Sequence, residues 1–307
     1  MWSPTPFLNP VTLSNLSKFK KTWHFNAPYG RIIRDLKGLP SSLARSGDLE
    51  LVLATRKRDI RKAQKLRYKV FYEEGHAVAD PKCKLTQRDI CPYDRICDHL
   101  LVIDHSHRTR FGRLKPKVVG TYRLLRQDIA DANFGFYTAQ EFDISGLLAR
   151  HANKRFLELG RSCVHRDYRS KRTLELLWRG IWTYVQHHNI DVMIGCASLE
   201  GTNPLAHALA LSFLHHHVGA KDEWSARAFD HNRFGMNLIS KEAVDVRKAV
   251  MQLPPLIKGY LRCGAQFGDG AVIDRMFGTT DVLVIMPVKD LDERYINHFS
   301  HPQPQVA

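Results

Sequence analysis

A chain of 307 residues, 44% of them hydrophobic, holds enough apolar material for one large core or at most two domains. No apolar run approaches the roughly 18 residues of a membrane span, and the N-terminus lacks the compact apolar segment of a secretory signal. A formal charge of +15 favours polyanionic partners without choosing among nucleic acid, an anionic lipid surface and an acidic protein; the six cysteines (Cys83, Cys91, Cys97, Cys163, Cys196, Cys263), none in a CxxC pair, read as reduced thiols of a cytoplasmic protein.

Residues 1–47 are rich in Pro, Ser, Thr and Asn, and before Asp35 they carry Lys18, Lys20, Lys21, Arg31 and Arg34 but no acid. That composition predicts a flexible basic tail, suited to contact with an anionic membrane or a carrier protein. A strand is expected over 49–55. A helix follows over 59–74, where Ile60, Ala63, Leu66, Val70 and Phe71 recur at three- to four-residue spacing. A long loop, 75–97, contains Pro81, Pro92 and three cysteines; loops of that length inside a domain are commonly functional or disordered. A hairpin then spans 99–104 and 117–126 around a basic turn. The segment 155–164 reads as a buried strand, 172–188 as a strong helix, 191–198 as a strand and 204–217 as a helix with Pro204 in its first turn. A short strand over 233–239, helices over 242–250 and 255–263, and a last strand over 281–288 complete the pattern, before a C-terminal tail, 291–307. This order predicts a single α/β domain over 48–290, three layers deep, with a mixed central sheet. A doubly wound nucleotide fold fits poorly, because the turn after the first strand is Arg56-Lys57-Arg58 rather than glycine-rich.

The segment 156–173 carries the densest chemical signal. A strand runs into a polar basic turn and then a helix, whose free N–H groups and positive dipole end suit a phosphate. Arg166, Arg169, Lys171 and Arg172 gather at that point. They match the phosphate of coenzyme A or of a carrier-protein phosphopantetheine; the bland alternative is a solvated basic turn. Within the strand, Glu158 and Arg161 would lie on opposite faces unless Gly160 permits a bulge. A bulge exposes a backbone N–H able to polarise a thioester carbonyl, and a carboxylate here suits a general base. A structural Glu–Arg pair is the competing reading.

This stretch resembles the central strand, turn and helix of the GNAT superfamily. The turn reads Arg169-Ser170-Lys171-Arg172-Thr173-Leu174 and lacks both glycines of the usual Gln/Arg-x-x-Gly-x-Gly/Ala pattern. It is similar to the acyl-homoserine-lactone-synthase-like branch, whose acyl donor is usually acyl carrier protein. Gln64-Lys-Leu-Arg67-Tyr-Lys-Val-Phe71-Tyr-Glu-Glu74 resembles the first-helix signature of that branch, Asp94 and Asp98 its acidic loop, Gly120-Thr-Tyr-Arg123-Leu-Leu its third-strand motif, and Glu158-Leu-Gly-Arg161 its fourth. The run from Ile194 to Ala208, the run from Leu253 to Asp274 and Phe277-Gly-Thr-Thr-Asp281-Val282 resemble the ornithine N-acyltransferases that begin ornithine-lipid synthesis.

The resemblance covers 49–288. It implies a three-layer α/β/α GNAT fold and transfer of a 3-hydroxyacyl group from acyl carrier protein to the α-amino group of L-ornithine, giving lyso-ornithine lipid. Glu158 and Arg161 would serve catalysis. Arg67, Arg123 or Arg161 would take the acceptor's carboxylate, and Asp94, Asp98, Asp269 or Asp274 its ammonium, with no ranking among these acids. The basic rim would steer an acidic carrier protein. Because the product is an amphiphile, contact with the cytosolic face of the inner membrane is expected. No cofactor is expected beyond the acyl-carrier co-substrate. Nor is a metal: His215-His216-His217 point in different directions on a helix, and Cys83, Cys91, Cys97 and His99 are irregularly spaced. No Ser/His/Asp or Cys/His set stands at recognisable positions, so direct transfer is expected. The alternatives are an acyl-homoserine lactone synthase, which would need S-adenosylmethionine, and a non-catalytic basic module; the absence of an aromatic-basic motif argues against nucleic acid.

Overall fold

A computed structural model describes residues 38–292. Most of the expected basic tail, and 293–307 of the expected C-terminal tail, lie outside the described residues. The end of the former belongs to the sheet: β1 (Ala44–Ser46) pairs antiparallel with β2 (Leu49–Leu53). In chain order there follow α1 (Lys57–Tyr68), α2 (Pro81–Thr86), β3 (Asp98–Asp104), β4 (Lys117–Arg126), α3 (Gln127–Asp131), β5 (Phe142–Asp143), α4 (Ser145–Arg150), β6 (Phe156–Val164), α5 (Lys171–His187), β7 (Val192–Glu200), α6 (Ala208–Val218), β8 (Arg227–Ala228), β9 (Arg233–Phe234), α7 (Val246–Gln252), α8 (Pro255–Arg262), β10 (Gln266–Asp274) and β11 (Thr279–Pro287). The sheet runs β1-β2-β3-β4-β6-β7-β11-β10-β8-β5, with β9 beside β10. It is mixed: β6–β7 and β10–β8 are parallel, and the other neighbours antiparallel.

The two faces of the sheet differ. One is mainly apolar. Leu176, Ile181 and Tyr184 of α5, Leu211 and Leu214 of α6, and Ile257 and Tyr260 of α8 pack on Leu100, Leu124, Leu157 and Val284. Ser170 starts α5 by accepting the Thr173 N–H, and the helix then buries residues at three- to four-residue spacing, each large apolar side chain contributing about 1.5–3 kcal/mol. The other face carries two separate apolar patches. In one, Ala63 and Leu66 of α1 meet Leu101, Val118 and Cys163. In the other, Tyr93, Phe136, Phe142 and Ile144 meet Phe156, Ile194, Leu283 and Ile285. This face also buries the charged and polar side chains Arg67, Asp94, His99, Arg123, Glu158 and Asp281.

Several elements depart from the sequence expectations. The helix expected over 59–74 is α-helical only to Tyr68; Lys69–Glu74 forms a wider π-type turn, with Phe71 and Tyr72 both against Phe277. The long loop holds α2, begun by Asp80 accepting the Cys83 N–H with Pro81 at the first position. The strand expected over 233–239 is reduced to β9. The helix expected over 242–250 is split into a 3-10 turn, Lys241–Ala243, and α7. Strand β10 has no counterpart among the expected elements. Its glycines break the apolar alternation, and its register against β11 shifts between Phe267 and Ala271, where Gly270 has φ +86°.

Two irregularities build the site. On β4, Thr121 pairs with Cys163 and Arg123 with Gly160, so Tyr122 faces both Arg161 and Ser162. This bulge sets Arg161 at φ +51°, a strained conformation for a residue with a Cβ. Strands β6 and β7 pair only from Phe156↔Val192 to Glu158↔Ile194 and then part. Gly195 sits at the fork, where an added Cβ would lie 2.4 Å from the Leu159 carbonyl oxygen. Gly195→Ala should therefore cost about 1–3 kcal/mol, read as a lower melting temperature. Gly259→Ala, in a helix and with nothing near its Cβ position, should be neutral or stabilising.

Candidate active site

On its inward face, α1 places Gln64 and Arg67 beside the apolar Ala63 and Leu66. Arg67 is fully buried. Its Nε donates to Asp89 at 2.6 Å, and its Nη2 to the Asp89 carbonyl and the Asp94 carboxylate, each at 2.8 Å. Asp94 also accepts from Gln64 (2.8 Å) and from the Cys91 N–H (3.1 Å), and Arg123 approaches it at 3.7 Å. Burial opposes ionisation of Asp94, but the Arg67 and Arg123 charges overcome it and hold the carboxyl well below its ordinary range. Burial pushes His99 down to about 4, so the ring is neutral near pH 7. The Arg67 ion pairs with Asp89 and Asp94 thus fasten the 88–97 loop to α1.

Arg123 on β4 and Arg161 on the bulge lie against aromatic rings. The Arg161 guanidinium is 4.2 Å from the Phe277 ring and 4.8 Å from that of Tyr137; Arg123 is 5.5 Å from Tyr93 and 5.6 Å from Tyr137. Arg161 Nε stands 3.7 Å from Asp89. Neither Arg161 Nε nor Arg123 Nη1 has a hydrogen-bond partner. Buried guanidinium groups with spare donors suit a carboxylate.

Beside them stand three acids. Glu141 follows the 3-10 turn Thr138–Gln140, Asp274 ends β10 and Asp281 lies on β11; one carboxylate oxygen from each lies within 4.8 Å of the other two. Burial, then the Asp281 and Asp274 charges, push Glu141 up to about 8. Burial, with the Asp274 charge beside it, pushes Asp281 up to about 6. The adjacent Cys196 thiol is driven well upward by burial and by Glu141, so it stays neutral and is no thiolate nucleophile.

Glu158, one candidate for catalysis from the sequence, is buried and accepts three hydrogen bonds: from Tyr137 N (2.9 Å), Thr138 N (2.5 Å) and Thr138 Oγ1 (2.5 Å). It anchors the segment that carries both Tyr137 and Glu141. At the β6–α5 turn, Arg166 and Arg169 reach Glu74 at 3.4 and 2.8 Å, Lys171 pairs with Glu175, and Arg172 donates to Ser46 Oγ. Lys69 and Lys117 converge on His165 Nε2 at 2.9 and 3.3 Å, extending the basic rim around the start of α5.

The family model described as "Acetyltransferase (GNAT) domain" matches residues 66–179. The chain is 52% identical over 273 residues to an L-ornithine N(alpha)-acyltransferase of Agrobacterium fabrum, covering 89% of this chain and 91% of the relative. It is 51% identical over 269 residues to one from Rhizobium meliloti, covering 87% and 90%. The chain belongs to the L-ornithine N(alpha)-acyltransferase family. It is an acyltransferase of the GNAT superfamily, and its mixed sheet with helices on both faces is the fold expected of one. A solved CoA-dependent acyl-homoserine lactone synthase, BjaI with MTA, is similar at a TM-score of 0.42 and 13% identity over 80% of this chain and 85% of that one, too distant to bear on chemistry.

Of the residues singled out from the family motifs, Arg67, Arg123, Arg161, Asp94 and Glu158 meet on the polar face, joined by Asp274. Two acids do not join them. Asp98 accepts from Tyr184 of α5 at 2.7 Å, on the apolar face of the sheet. Asp269 pairs with Arg233 (2.7 Å) and His215 (3.5 Å) in an open cleft with Met236, on the side of α6. The three consecutive histidines diverge: His215 toward Asp269, His216 to the Ile239 carbonyl and His217 onto the Phe213 ring. Glu141 and Asp281 were missed. Asp281 had a signal, an acid heading an otherwise apolar strand; Glu141 had none.

Proposed function

We propose that the chain moves a 3-hydroxyacyl group from the thioester of an acyl carrier protein to the α-amino group of L-ornithine, giving lyso-ornithine lipid. The observation that carries this reading is identity above 50% along about nine-tenths of relatives that bear the name L-ornithine N(alpha)-acyltransferase. The basic rim of Lys69, Lys117, Arg166, Arg169 and Lys171 supports an acidic carrier as donor, its phosphopantetheine entering at the start of α5.

In this reading the thioester lies in the fork between β6 and β7, where the parted strands leave backbone N–H groups to polarise its carbonyl. Arg161 and Arg123 take the acceptor's carboxylate. Glu141 takes a proton from the α-ammonium; the freed amine attacks the thioester carbon, the C–N bond forms, the C–S bond breaks and the thiolate leaves to be protonated. Glu158 positions Glu141 and Tyr137 rather than touching the reacting atoms. No described helix is long and apolar enough to cross a membrane; delivery of the amphiphilic product to the cytosolic face of the inner membrane, aided by the basic tail, belongs to the same proposal.

The test supplies purified protein with the same 3-hydroxyacyl group on carrier protein or on coenzyme A, with a panel of amino acids, and reads products by mass spectrometry. Ornithine acylated chiefly from the carrier is expected. Equal use of coenzyme A would overturn the donor, and acylation of other amino acids in place of ornithine the acceptor. Reversing the exposed charges, Arg166→Glu with Lys171→Glu, should raise KM for the carrier by about 10-fold or more and flatten its salt dependence.

A further inference from the structure

An α-amino acid offers one carboxylate and one ammonium, so a buried arginine and a single acid would match it. Here three carboxylates share the space beside Arg161. Asp281 is only 6% exposed, and its Oδ1 has no hydrogen-bond partner; Glu141 Oε2 and Thr279 Oγ1 are also buried without one. Asp274 uses Oδ1 to hold the β10–β11 turn, accepting from Met276 N at 2.7 Å and Phe277 N at 2.9 Å. Arg161 forms its ion pair with Asp89. Unpaired acids gathered inside a protein are costly to keep, and such groups persist where a ligand completes them. The ligand chemistry they call for is positive, strong in hydrogen-bond donors and more than one ammonium can supply alone.

We infer that Asp281 and Asp274 form a subsite for the distal ammonium of a dibasic amino acid, next to the α-ammonium on Glu141, and that this second positive charge is what the site selects. The inference rests on the amino-acid acceptor proposed above and adds the feature by which it is chosen. The carboxylate end lies on Arg161, the side chain runs across the β6–β7 fork, and the distal amine donates to the open Oδ1 of Asp281. A neutral side chain of the same length would leave the Asp281 Oδ1 buried without a partner, which is the strongest form of rejection a site can build.

The comparison is ornithine against norvaline, which has the same carbon chain without the distal amine, using wild type and Asp281→Asn with the acyl-carrier donor. Wild type should prefer ornithine by about 100-fold or more in kcat/KM, and Asp281→Asn should shrink that ratio by about 10- to 100-fold. A donor-free readout accompanies it: ornithine should raise the melting temperature of wild type more than norvaline does, and Asp281→Asn should erase the difference. Should the variant turn over neither acceptor, that thermal difference decides, and its persistence overturns the subsite. Norvaline used as readily as ornithine by wild type overturns it while leaving amino-acid acylation standing. Acylation of no amino acid at all removes both. Loss of wild-type activity in EDTA, restored by magnesium or manganese, would assign the three acids to a metal and overturn it as well.

Discussion

Glu141→Gln should lower kcat/KM for ornithine by about 100- to 10,000-fold, the span expected when a general base is removed. Glu141 faces Asp281 and Asp274 from the β10–β11 hairpin, Arg161 from β6, Cys196 from β7 and the Tyr137 phenol on its own segment. Burial and the two neighbouring acids push it up to about 8, against the Arg161 charge. In the free enzyme, kcat/KM should therefore rise with pH toward a plateau above about 8. Once a diammonium acceptor is bound, its charge favours the carboxylate, so the kcat profile should rise at lower pH. In the variant, the remaining rise should follow the amine's own ionisation alone. A variant with wild-type kcat/KM and an unchanged profile would remove Glu141 from the reaction.

The same residue makes a prediction about stability. In the unfolded chain Glu141 ionises near its ordinary value of 4.5, but the fold keeps it protonated to about 8. The folded state holds the extra proton between those values. That contribution to stability is complete below pH 4.5 and is lost as pH rises through 8. Asp281, raised from 3.8 to about 6, adds a loss of the same sign over its own window. Glutamine carries no such charge, so at pH 8–9 the Glu141→Gln protein should be more stable than wild type by about 1–3 kcal/mol while being nearly inactive. Thermal melts across pH 5–9 read both trends.

Arg67→Ala carries the largest expected loss of stability. It strands two buried carboxylates, Asp89 and Asp94, which receive the Arg67 guanidinium at 2.6 and 2.8 Å. Removing one partner of a buried ion pair costs about 3–5 kcal/mol, which for a domain of this size lowers the melting temperature by about 10 °C or more. Arg169→Ala, which breaks a half-exposed pair with Glu74 at 2.8 Å, should change stability by less than about 1 kcal/mol. The network also sets the acid limb. Asp94 is depressed in the fold, so its contribution is present above pH 3.8 and is lost as pH falls below that value. Without Arg67 that dependence should weaken or reverse. An Arg67→Ala protein within 1 kcal/mol of wild type would show that the pair is not the brace described here.

The α/β character, the order of the main elements, the helix at α5 with its basic start and the buried strand β6 could all be read from local pattern, because apolar spacing and capping residues act over a few positions. So could the bulge, since Gly160 marked where β6 was free to bend, although the strained φ falls on Arg161. Strand β10 could not: its glycines hide the alternation, and pairing with β11 supplies the stability that local propensity lacks. The arginines of the motifs were found as residues, but which of them still has spare hydrogen-bonding capacity could not be. Arg67 spends its Nε and Nη2 on Asp89 and Asp94, whereas Arg123 and Arg161 reach Asp94 and Asp89 only at 3.7 Å.

What the sequence determined by itself was membership of a fold and family, the basic turn before α5 and the arginines that line the polar face. Only the tertiary structure decided which acids share a site. Side chains alternate across a sheet, so Asp98 and Asp269 were carried to the far side while Asp274 and Asp281 came together across one hairpin. Glu141 reached them because Glu158 holds its loop by three hydrogen bonds from Tyr137 and Thr138, a contact between residues about 20 positions apart that no local pattern encodes. Ionisation then followed from that packing, since burial and like charge are properties of the assembled site and not of any residue within it.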